Sequence, residues 1–476
     1  MTTSLRVLLP SDIFPPRCGG AGWSAHALAL ALIERGHALT AIVPRRMTED
    51  GGRRTQELLT LRLPSSVFRP PTEDVLGVPT VRVDYWAPRI PIIQNYFRYE
   101  RFWPRLADVL IQELSARPTP SAICNPSTTL RTGLRSAIIH AQHVQTGPAA
   151  IMAGRRLGVP VVVTVRDHWP WDYFSTGLHG DCIPYGEQTW AALATDLVAR
   201  LRPVRGALAL TAIPYMLAHV RRRQQALRQA NAVIAVSDYI AQRLDGLVAP
   251  ERLHVLPNMV DLATIDAVIA TPQTIVPPST PYLLFVGKLE RNKGAHMLVD
   301  IFRELKALAV ASCELRVGKD GVFPSASSQL QTPVLVVAGS GPLRPELERE
   351  LAALGVRARF LDWLDHDEVL RLMASCELLL FPSAWGEPLS RVPLEASACT
   401  AAILAMPTGG TPSMIADGVN GALEPTPAGF ARRLAALLAR PEQRRALGQA
   451  ARRNAEQRFA KDVVVGQVEA LYRSLL

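Results

Sequence analysis

The chain has 476 residues, which exceeds one ordinary domain and predicts about two or three domains. Its composition, with 48% hydrophobic and 20% charged residues, is typical of a soluble globular protein. The net charge of +10 admits three anionic partners: nucleic acid, an anionic membrane surface or a phosphorylated substrate. Nucleic acid is the weakest of these, because the sequence has no zinc-type Cys/His spacing, no RNP-like aromatic motif and no long basic run.

The spacing of the cysteines and the length of the apolar runs indicate the cellular compartment of the protein. The six cysteines are scattered without a C-x-x-C pair, which is usual in a reducing compartment. The N-terminal sequence has no apolar core of signal-peptide length before Asp12, and no run reaches the roughly 18–20 apolar residues of a membrane span. We therefore predict a cytoplasmic protein, with a peripheral position on the inner membrane face as the further option.

The first predicted elements are a strand from Leu5 to Pro10, a glycine-rich loop, a helix that ends at Gly36, and a second strand. This order predicts an α/β fold with a doubly wound parallel sheet. The loop contains Gly19, Gly20 and Gly22, where the absence of a Cβ lets the backbone approach a ligand.

A rival interpretation of this loop is a dinucleotide site. The stretch from Gly20 to Ala25 fits G-x-G-x-x-A, but a NAD site would need an acidic residue about 20 positions later. Arg45 and Arg46 stand at that place, so an NADP-dependent reductase remains an alternative. A tight turn without any ligand is the other alternative.

Polar side chains follow two later strands of the first half. His140 and His143 lie at the end of AIIHAQH, and Arg166, Asp167 and His168 end the strand that begins at Pro160. Open α/β sheets bind ligands at the carboxyl ends of their strands. Each histidine has a structural hydrogen-bonding role as its competing explanation.

The stretch from Thr189 to Ala230 is predicted to be helical, with basic and apolar segments that alternate along it. Helices packed on the first domain are one interpretation. A surface that binds anionic lipid through arginines and apolar side chains is the other.

The pattern restarts after a proline- and threonine-rich linker, from Ala270 to Pro281. The next strand is followed by a loop with Gly287, Lys288 and Lys293, whose cations before a helix N-terminus would form a diphosphate clamp. A solvated basic loop is the alternative. A glycine turn with Gly339 follows another strand, and the segment from Ala311 to Pro333 is predicted to be an inserted loop.

The most informative stretch runs from Leu378 to Gly421. An apolar strand breaks at Pro382, a short loop presents Glu387, and a helix begins near Ser390, which is predicted to cap it. Glu395 follows Glu387 with seven residues between them. A helix N-terminus attracts anions, whereas carboxylates accept hydroxyl donors. The stretch therefore predicts a ligand with a phosphate and polyols.

This stretch resembles the E-x7-E signature of retaining GT-B glycosyltransferases of family 4, the glycosyl transferases group 1. The resemblance covers nearly the whole chain. It implies a GT-B fold, α/β with two Rossmann-like doubly wound parallel-sheet domains facing a central cleft. The implied domains are an acceptor-side domain over residues 1–265, a nucleotide-sugar domain over 280–455, and a C-terminal helix over 456–476 that packs back on the first domain.

The resemblance also implies roles for individual residues. Catalysis would involve Glu387, Asp167, Lys293 and Lys288. The nucleotide sugar would be held by Gly19, Gly20, Gly287, Lys288, Lys293, Gly339, Trp363, Leu364, Glu387, Pro388, Leu389, Ser390 and Glu395. The acceptor side of the cleft would be lined by Gly22, His140, His143, Arg166, His168 and Asn258.

The implied reaction moves a hexose from a UDP- or GDP-type sugar to an acceptor hydroxyl, on a glycan, a lipid-linked molecule or a small molecule. It retains anomeric configuration and uses no cofactor and no metal; the one D-x-D, at residues 365–367, is predicted to be a capped helix start. The sequence departs from the family at Arg166, where histidine is common, and at Ser413, where glutamate is common. A non-catalytic sugar-nucleotide-binding relative is therefore a further alternative.

Overall fold

The computed structural model describes residues 4–16, 18–47, 71–90, 92–116, 134–179, 183–184, 188–201, 209–277, 279–320 and 333–476. The chain divides into two units, each with its own sheet and core. Unit 1 comprises Met1–Gly180, Tyr185–Met259 and Val464–Leu476, and unit 2 comprises Asp181–Pro184 and Val260–Val463.

Unit 1 is built on an eight-stranded sheet. Its strands are β1 (Arg6–Pro10), β2 (Ala38–Arg46), β3 (Thr72–Val75), β4 (Val78–Tyr85), β5 (Ala137–Ala141), β6 (Val161–Val165), β7 (Ala232–Ala235) and β8 (Leu253–Val255). The order across the sheet is β8-β7-β6-β5-β1-β2-β4-β3, and every pairing is parallel except that of β3 with β4. In the register of β1, Leu8 lies opposite Thr40 on one side and Ile139 on the other.

Helices cover this sheet on both faces, which explains why β1, β5 and β6 are buried along their whole length. The helices of unit 1 are α1 (Gly20–Glu34), α2 (Ile93–Arg98), α3 (Trp103–Ala116), α4 (Gly147–Leu157), α5 (Trp190–Arg200), α6 (Ile213–Leu227) and α7 (Asp238–Leu244). Helices α2 and α3 are separated by a break between Arg98 and Trp103.

Unit 2 is built on a six-stranded parallel sheet. Its strands are β9 (Tyr282–Val286), β10 (Val334–Ala338), β11 (Ala358–Leu361), β12 (Leu378–Phe381), β13 (Ile403–Ala405) and β14 (Ala422–Leu423), in the order β11-β10-β9-β12-β13-β14. Leu284 of the central strand β9 lies opposite Val336 and Leu379. Short strands at Leu178–His179 and Ile183–Pro184 lie outside the two large sheets.

The helices that follow β8 are α8 (Leu262–Ile269), α9 (Met297–Asp320), α10 (Arg344–Ala353), α11 (His366–Ser375), α12 (Arg391–Ala398), α13 (Thr411–Met414), α14 (Pro427–Leu438), α15 (Pro441–Arg458) and α16 (Lys461–Ser474). Val464, Val468 and Tyr472 of α16 belong to the core of unit 1. Among the described residues, no helix is both long and apolar enough to cross a bilayer.

The loop predicted from Ala311 to Pro333 is wrong over its first part, because α9 continues to Asp320. The stretch from Ala311 to Asp320 contains alanine, leucine, glutamate, arginine and lysine, which favour helix. It contains no proline, and the next proline along the chain is Pro324. Residues 321–332 lie outside the described part of the chain.

Candidate active site

The predicted nucleotide-sugar residues of unit 2 follow successive strands at one edge of its sheet. Gly287 and Lys288 come after β9, Gly339 after β10, Trp363 and Leu364 after β11, and Glu387 after β12. Because all these strands are parallel, their carboxyl ends meet at the same edge, which is where open α/β sheets bind ligands. Unit 2 therefore brings the loops of the predicted site to one edge.

Backbone contacts connect these loops. The Trp385 amide donates to the Asn292 carbonyl at 3.1 Å, which joins the loop after β12 to the loop after β9. The Gly410 amide donates to the Glu387 carbonyl at 2.7 Å, which adds the loop after β13. Gly294 has a φ of +72°, and a Cβ there would lie 1.7 Å from the Pro382 carbonyl oxygen. Only glycine fits this close approach.

Lys293 and Glu387 form the central pair of the site. Lys293 Nζ lies 2.8 Å from Glu387 Oε1, and the Ser383 hydroxyl donates to the same oxygen at 3.1 Å. The ammonium also lies 4.9 Å from the centre of the Trp385 ring, at cation–π distance. Only 6% of Glu387 is exposed. A buried carboxylate is thus held by an ammonium that has further donors available to a ligand.

Glu395 lies in α12 and is equally buried, with 5% exposed. Its Oε1 accepts hydrogen bonds from His366 Nε2 at 3.1 Å and from Arg391 at 2.6 and 3.0 Å. Burial opposes the charge, but the hydrogen bonds and charges of His366 and Arg391 lower the pKa of Glu395 below its usual value. Conversely, the hydrogen bond to Glu395 raises the pKa of His366. This carboxylate is fixed in its ionised, accepting form.

The remaining residues of this edge differ in accessibility. Trp363 is 80% exposed, and the Lys288 side chain is 65% exposed with its ammonium 3.9 Å from Glu290. Leu389 and Ser390 are buried, as is Pro388. Exposed Lys288 and Trp363 are thus free to contact a ligand, whereas the Pro388–Ser390 segment offers chiefly its backbone.

The predicted cap of α12 is wrong. Ser390 occupies the cap position with extended backbone, but its hydroxyl makes no capping bond. The third residue of the helix is Pro393, which has no N–H for a capping serine to accept. Asp365 likewise precedes α11 without a side-chain cap, although the helix starts where it was predicted.

Unit 1 places a second cluster at the carboxyl edge of its own sheet. His143, just after β5, has Nε2 3.0 Å from Asp167 Oδ2 and Nδ1 3.6 Å from Asp12 Oδ2. Asp12 also accepts the amides of Gln145 at 2.8 Å and Thr146 at 3.0 Å. Burial opposes a charged imidazole, but the two carboxylates outweigh it and raise the pKa of His143 to about 10. The cluster is a carboxylate–imidazolium–carboxylate group.

Arg166 and Asn258, both predicted acceptor-side residues, contact each other. Arg166 donates to the Asn258 side-chain oxygen and, at 2.9 Å, to the Gln142 side-chain oxygen. These residues follow β6, β8 and β5, so three strand ends meet at the guanidinium. The guanidinium of Arg166 thus connects the residues that follow β5 and β8 by hydrogen bonds.

His140 and His168 make internal hydrogen bonds. His140 is fully buried, with Nδ1 2.6 Å from the Tyr472 hydroxyl and Nε2 2.6 Å from the Thr164 hydroxyl. His168 is 2% exposed and its Nε2 lies 3.0 Å from the Tyr239 hydroxyl. Burial lowers the pKa of His140 to about 3 and the pKa of His168 to about 4. Both rings are neutral, and His140 has both nitrogens occupied by protein groups.

Comparison with protein-family models identifies the family of this chain. The model described as Glycosyltransferase Family 4 matches residues 18–264, and the model described as Glycosyl transferases group 1 matches residues 271–454. The chain belongs to glycosyltransferase family 4. The resemblance found in the sequence is thereby confirmed.

Named relatives of this family 4 chain are 26–28% identical to it over the aligned residues. An alpha-maltose-1-phosphate synthase of Mycobacterium tuberculosis is 28% identical over 53% of this chain and 65% of its own length. A D-inositol 3-phosphate glycosyltransferase of Segniliparus rotundus is 26% identical over 72% of this chain and 67% of its own length. The chain thus spans somewhat less than two thirds of the first of these relatives.

Solved structures establish the fold class of this family 4 chain. Anabaena HepE in complex with UDP matches with a TM-score of 0.62 and 17% identity, over 99% of this chain and 100% of that one. Sucrose-phosphate synthase from Thermosynechococcus elongatus matches with a TM-score of 0.58 and 17% identity, over 99% of each chain. The predicted GT-B class, with two parallel-sheet α/β domains, is confirmed.

The glycine-rich loop of this family 4 chain opens α1. Gly19 is the residue before the helix and Gly20 the first within it; both are exposed. Gly22 is buried, and a Cβ there would lie 2.7 Å from Cys18 Sγ. The arginines that the reductase alternative requires are exposed, and both are paired with protein groups. Arg45 pairs with Asp84 at 2.6 Å, and Arg46 donates to the Ala87 carbonyl at 2.8 Å.

Several side chains of the two clusters were missed in the sequence, namely Asp12, Gln142, His366 and Arg391. Asp12 and Gln142 each follow a strand of the first half, so the strand-end argument applied to His143 would have found them. Arg391 lies four residues before Glu395, the spacing of neighbours on a helix. His366 carried no signal, because 28 residues separate it from Glu395.

Proposed function

We propose that the chain transfers a hexose from a nucleotide-diphosphate sugar, of UDP or GDP type, to an acceptor hydroxyl. The proposed transfer retains anomeric configuration and needs no metal. Family membership and the GT-B fold support the reaction class, and HepE structures that contain UDP and UDP-glucose favour a UDP sugar for the first tests. The acceptor is a glycan, a lipid-linked molecule or a small molecule.

The observation that carries the proposal is the Lys293–Glu387 pair at the carboxyl edge of unit 2. An ammonium has three donors, so Lys293 can hold Glu387 with one and a phosphate oxygen with another. Glu387 and Glu395 are both buried and held by cations, and their oxygens would accept hydrogen bonds from sugar and ribose hydroxyls. Exposed Lys288 would add a second cation to the diphosphate.

The chemistry follows from where charge develops. As the bond from the anomeric carbon to the phosphate oxygen breaks, negative charge grows on the diphosphate and positive charge on the sugar. Lys293, Lys288 and the N-terminal amides of α12 would stabilise the leaving group, a role that a divalent metal otherwise takes. The acceptor oxygen would bond to the same face of the anomeric carbon, and its proton would pass to the leaving phosphate. That course retains the configuration without a carboxylate nucleophile.

Unit 1 would contribute to the acceptor side. Asp167 accepts from the imidazolium of His143 at 3.0 Å and from the Trp169 amide at 2.8 Å, so its position is fixed by two donors. We propose that Asp167 accepts a hydroxyl of the sugar or the acceptor. Arg166 and Asn258 would line the same side.

An anionic membrane surface is a further proposed partner. Within α6, Arg223 is only 1% exposed and donates to the carbonyls of Trp169 and Asp172, so it is not available to lipid. Arg221 and Arg228 are exposed. Co-sedimentation with phosphatidylglycerol vesicles tests this partner, and Arg221→Gln/Arg228→Gln should weaken the binding.

Thermal-shift screening against UDP, GDP and ADP sugars tests the function, followed by an assay of nucleotide release. We expect a UDP or GDP sugar to stabilise the protein and to release its nucleotide. Lys293→Ala should lose the stabilisation, and Lys306→Ala, an exposed lysine of α9, should keep it. Stabilisation without nucleotide release from any donor would favour the non-catalytic binder, and no response to any donor would contradict the proposal.

A further inference from the structure

A groove of about 360 Å³ lies on unit 2 between α15 and the segment from Pro412 to Asn420. Ser413, where glutamate is common in the family, is among its lining residues, whereas Lys288, Lys293, Glu387 and Glu395 are not. The α15 wall is formed by residues that recur every three or four positions and so share one helix face: Ala450, Arg453, Asn454, Gln457 and Arg458. The groove falls in the size range of small-molecule sites, roughly 300–1,000 Å³.

The opposite wall is held rigidly by amide side chains. Asn420 accepts the Ala416 amide at 2.7 Å and donates to the Met414 carbonyl at 2.9 Å. Asn454 donates to the same carbonyl at 3.0 Å, which ties α15 to this wall. The groove is therefore a fixed feature of unit 2, because both of its walls are hydrogen-bonded to each other.

The two arginines of the groove carry uncompensated charge. Within the part of the chain that the structure describes, neither Arg453 nor Arg458 makes a hydrogen bond or an ion pair with a protein group; Arg458 lies 5.2 Å from the Phe459 ring centre. No aspartate or glutamate is among the lining residues. The nearby carboxylates are neutralised elsewhere, since Glu456 pairs with Arg452 at 2.7 Å and Asp417 with Arg433 at 2.7 Å.

These features identify the chemistry of a ligand. Two guanidinium groups with open hydrogen-bond donors match the oxygens of a phosphate group. The exposed amide of Gln457 offers a further polar contact, and Met414, Val419 and Ala450 give the groove an apolar part that suits a ring. We propose that this groove binds a small phosphorylated molecule through Arg453 and Arg458.

The groove lies at the C-terminal end of α15, so the positive charge of both arginines is needed to attract an anion there. The carbonyl groups of a helix C-terminus carry partial negative charge and oppose an anion. Replacing either arginine by glutamine should weaken phosphate binding roughly tenfold, as expected for one lost charge-assisted hydrogen bond.

Arginine modification by phenylglyoxal tests the site directly. In the full chain, inorganic phosphate should slow modification of Arg453 and Arg458 several-fold relative to chloride at equal ionic strength, as mapped by mass spectrometry. The rates at Arg349 and Arg432, which are exposed arginines on α10 and α14, should not change. Equal slowing at all four arginines, or none at Arg453 and Arg458, would overturn the proposal.

A variant comparison separates this groove from the donor site. In a Lys293→Ala background, pyrophosphate should still raise the melting temperature, and Arg453→Gln/Arg458→Gln should remove that shift. Arg349→Gln/Arg432→Gln loses the same charge and should keep it. Protection of the groove arginines by phosphatidylglycerol vesicles but not by inorganic phosphate would contradict a soluble ligand and assign the groove to lipid headgroups.

Discussion

Two histidines of one strand end have opposite protonation because their neighbours differ. His140 lies within β5 and is surrounded by apolar atoms and hydroxyl groups, whereas His143 stands between Asp12 and Asp167. Both occur in the same AIIHAQH segment, and the sequence analysis made the same prediction for each. Their different environments depend on residues that are far away in the chain, which the sequence pattern does not reveal.

Histidine titration by nitrogen NMR checks this difference. We expect His143 to remain an imidazolium and His140 to remain neutral from pH 5 to pH 9, because carboxylates raise the pKa of His143 to about 10 and burial lowers the pKa of His140 to about 3. Since the folded pKa of His143 is raised, its stabilising contribution is complete below about pH 6.5 and is lost as the pH rises toward about 10.

Asp12→Asn provides the matched comparison for this titration, because it removes one of the two carboxylates that face His143. It should lower the pKa of His143 and leave the titration of His140 unchanged. If both rings of the wild-type protein lost their protons near pH 6.5, the arrangement of this cluster would be incorrect.

The hydrogen bond between His366 and Glu395 leads us to expect a second pH dependence of the free energy of unfolding. The hydrogen bond to Glu395 raises the pKa of His366, so the pair stabilises the fold fully below about pH 6.5 and less as the pH rises through the raised value. His366→Asn should therefore reduce the free energy of unfolding more at pH 6 than at pH 9. Since its side chain is 57% exposed, we expect less than about 1 kcal/mol, measured by urea unfolding. A loss that grows with pH would contradict the pair.

At the scale of elements, the site depends on how closely the loops of unit 2 approach each other. Gly294→Ala would place a Cβ 1.7 Å from the Pro382 carbonyl oxygen, and Gly355→Ala would meet no atom within 4 Å. Both glycines have a left-handed φ, at +72° and +74°. The two substitutions therefore share the backbone strain and differ only in the clash.

We expect Gly355→Ala to reduce the free energy of unfolding by about 1–2 kcal/mol, the cost of the left-handed backbone. Gly294→Ala should cost about 1–3 kcal/mol more, because the loops must separate. Gly294→Ala should also weaken donor binding, while Gly355→Ala should not. Urea unfolding and thermal shift with a nucleotide sugar measure both effects. Equal losses of stability would show that the loops separate without cost.

At the scale of the whole molecule, the sequence was enough to predict the family, the fold class and the strand-end position of the site residues. Glycine loops, E-x7-E spacing and continuous apolar strands are local patterns. Pairs such as Lys293 with Glu387, which are 94 positions apart, are set by tertiary structure. The extension of α9 was missed because polar helix residues were interpreted as a loop.

Calorimetric measurement of donor affinity tests the central claim most directly, which is that Lys293 and the two glutamates of unit 2 hold a nucleotide sugar. Wild type and Lys306→Ala should bind the same donor equally well. Lys293→Ala should bind it about 10- to 100-fold more weakly, as expected for one hydrogen bond to a charged group. Lys293→Ala/Glu387→Gln, which leaves no buried charge unpaired, should be folded and bind no better. Equal affinity of Lys293→Ala and wild type would contradict the account.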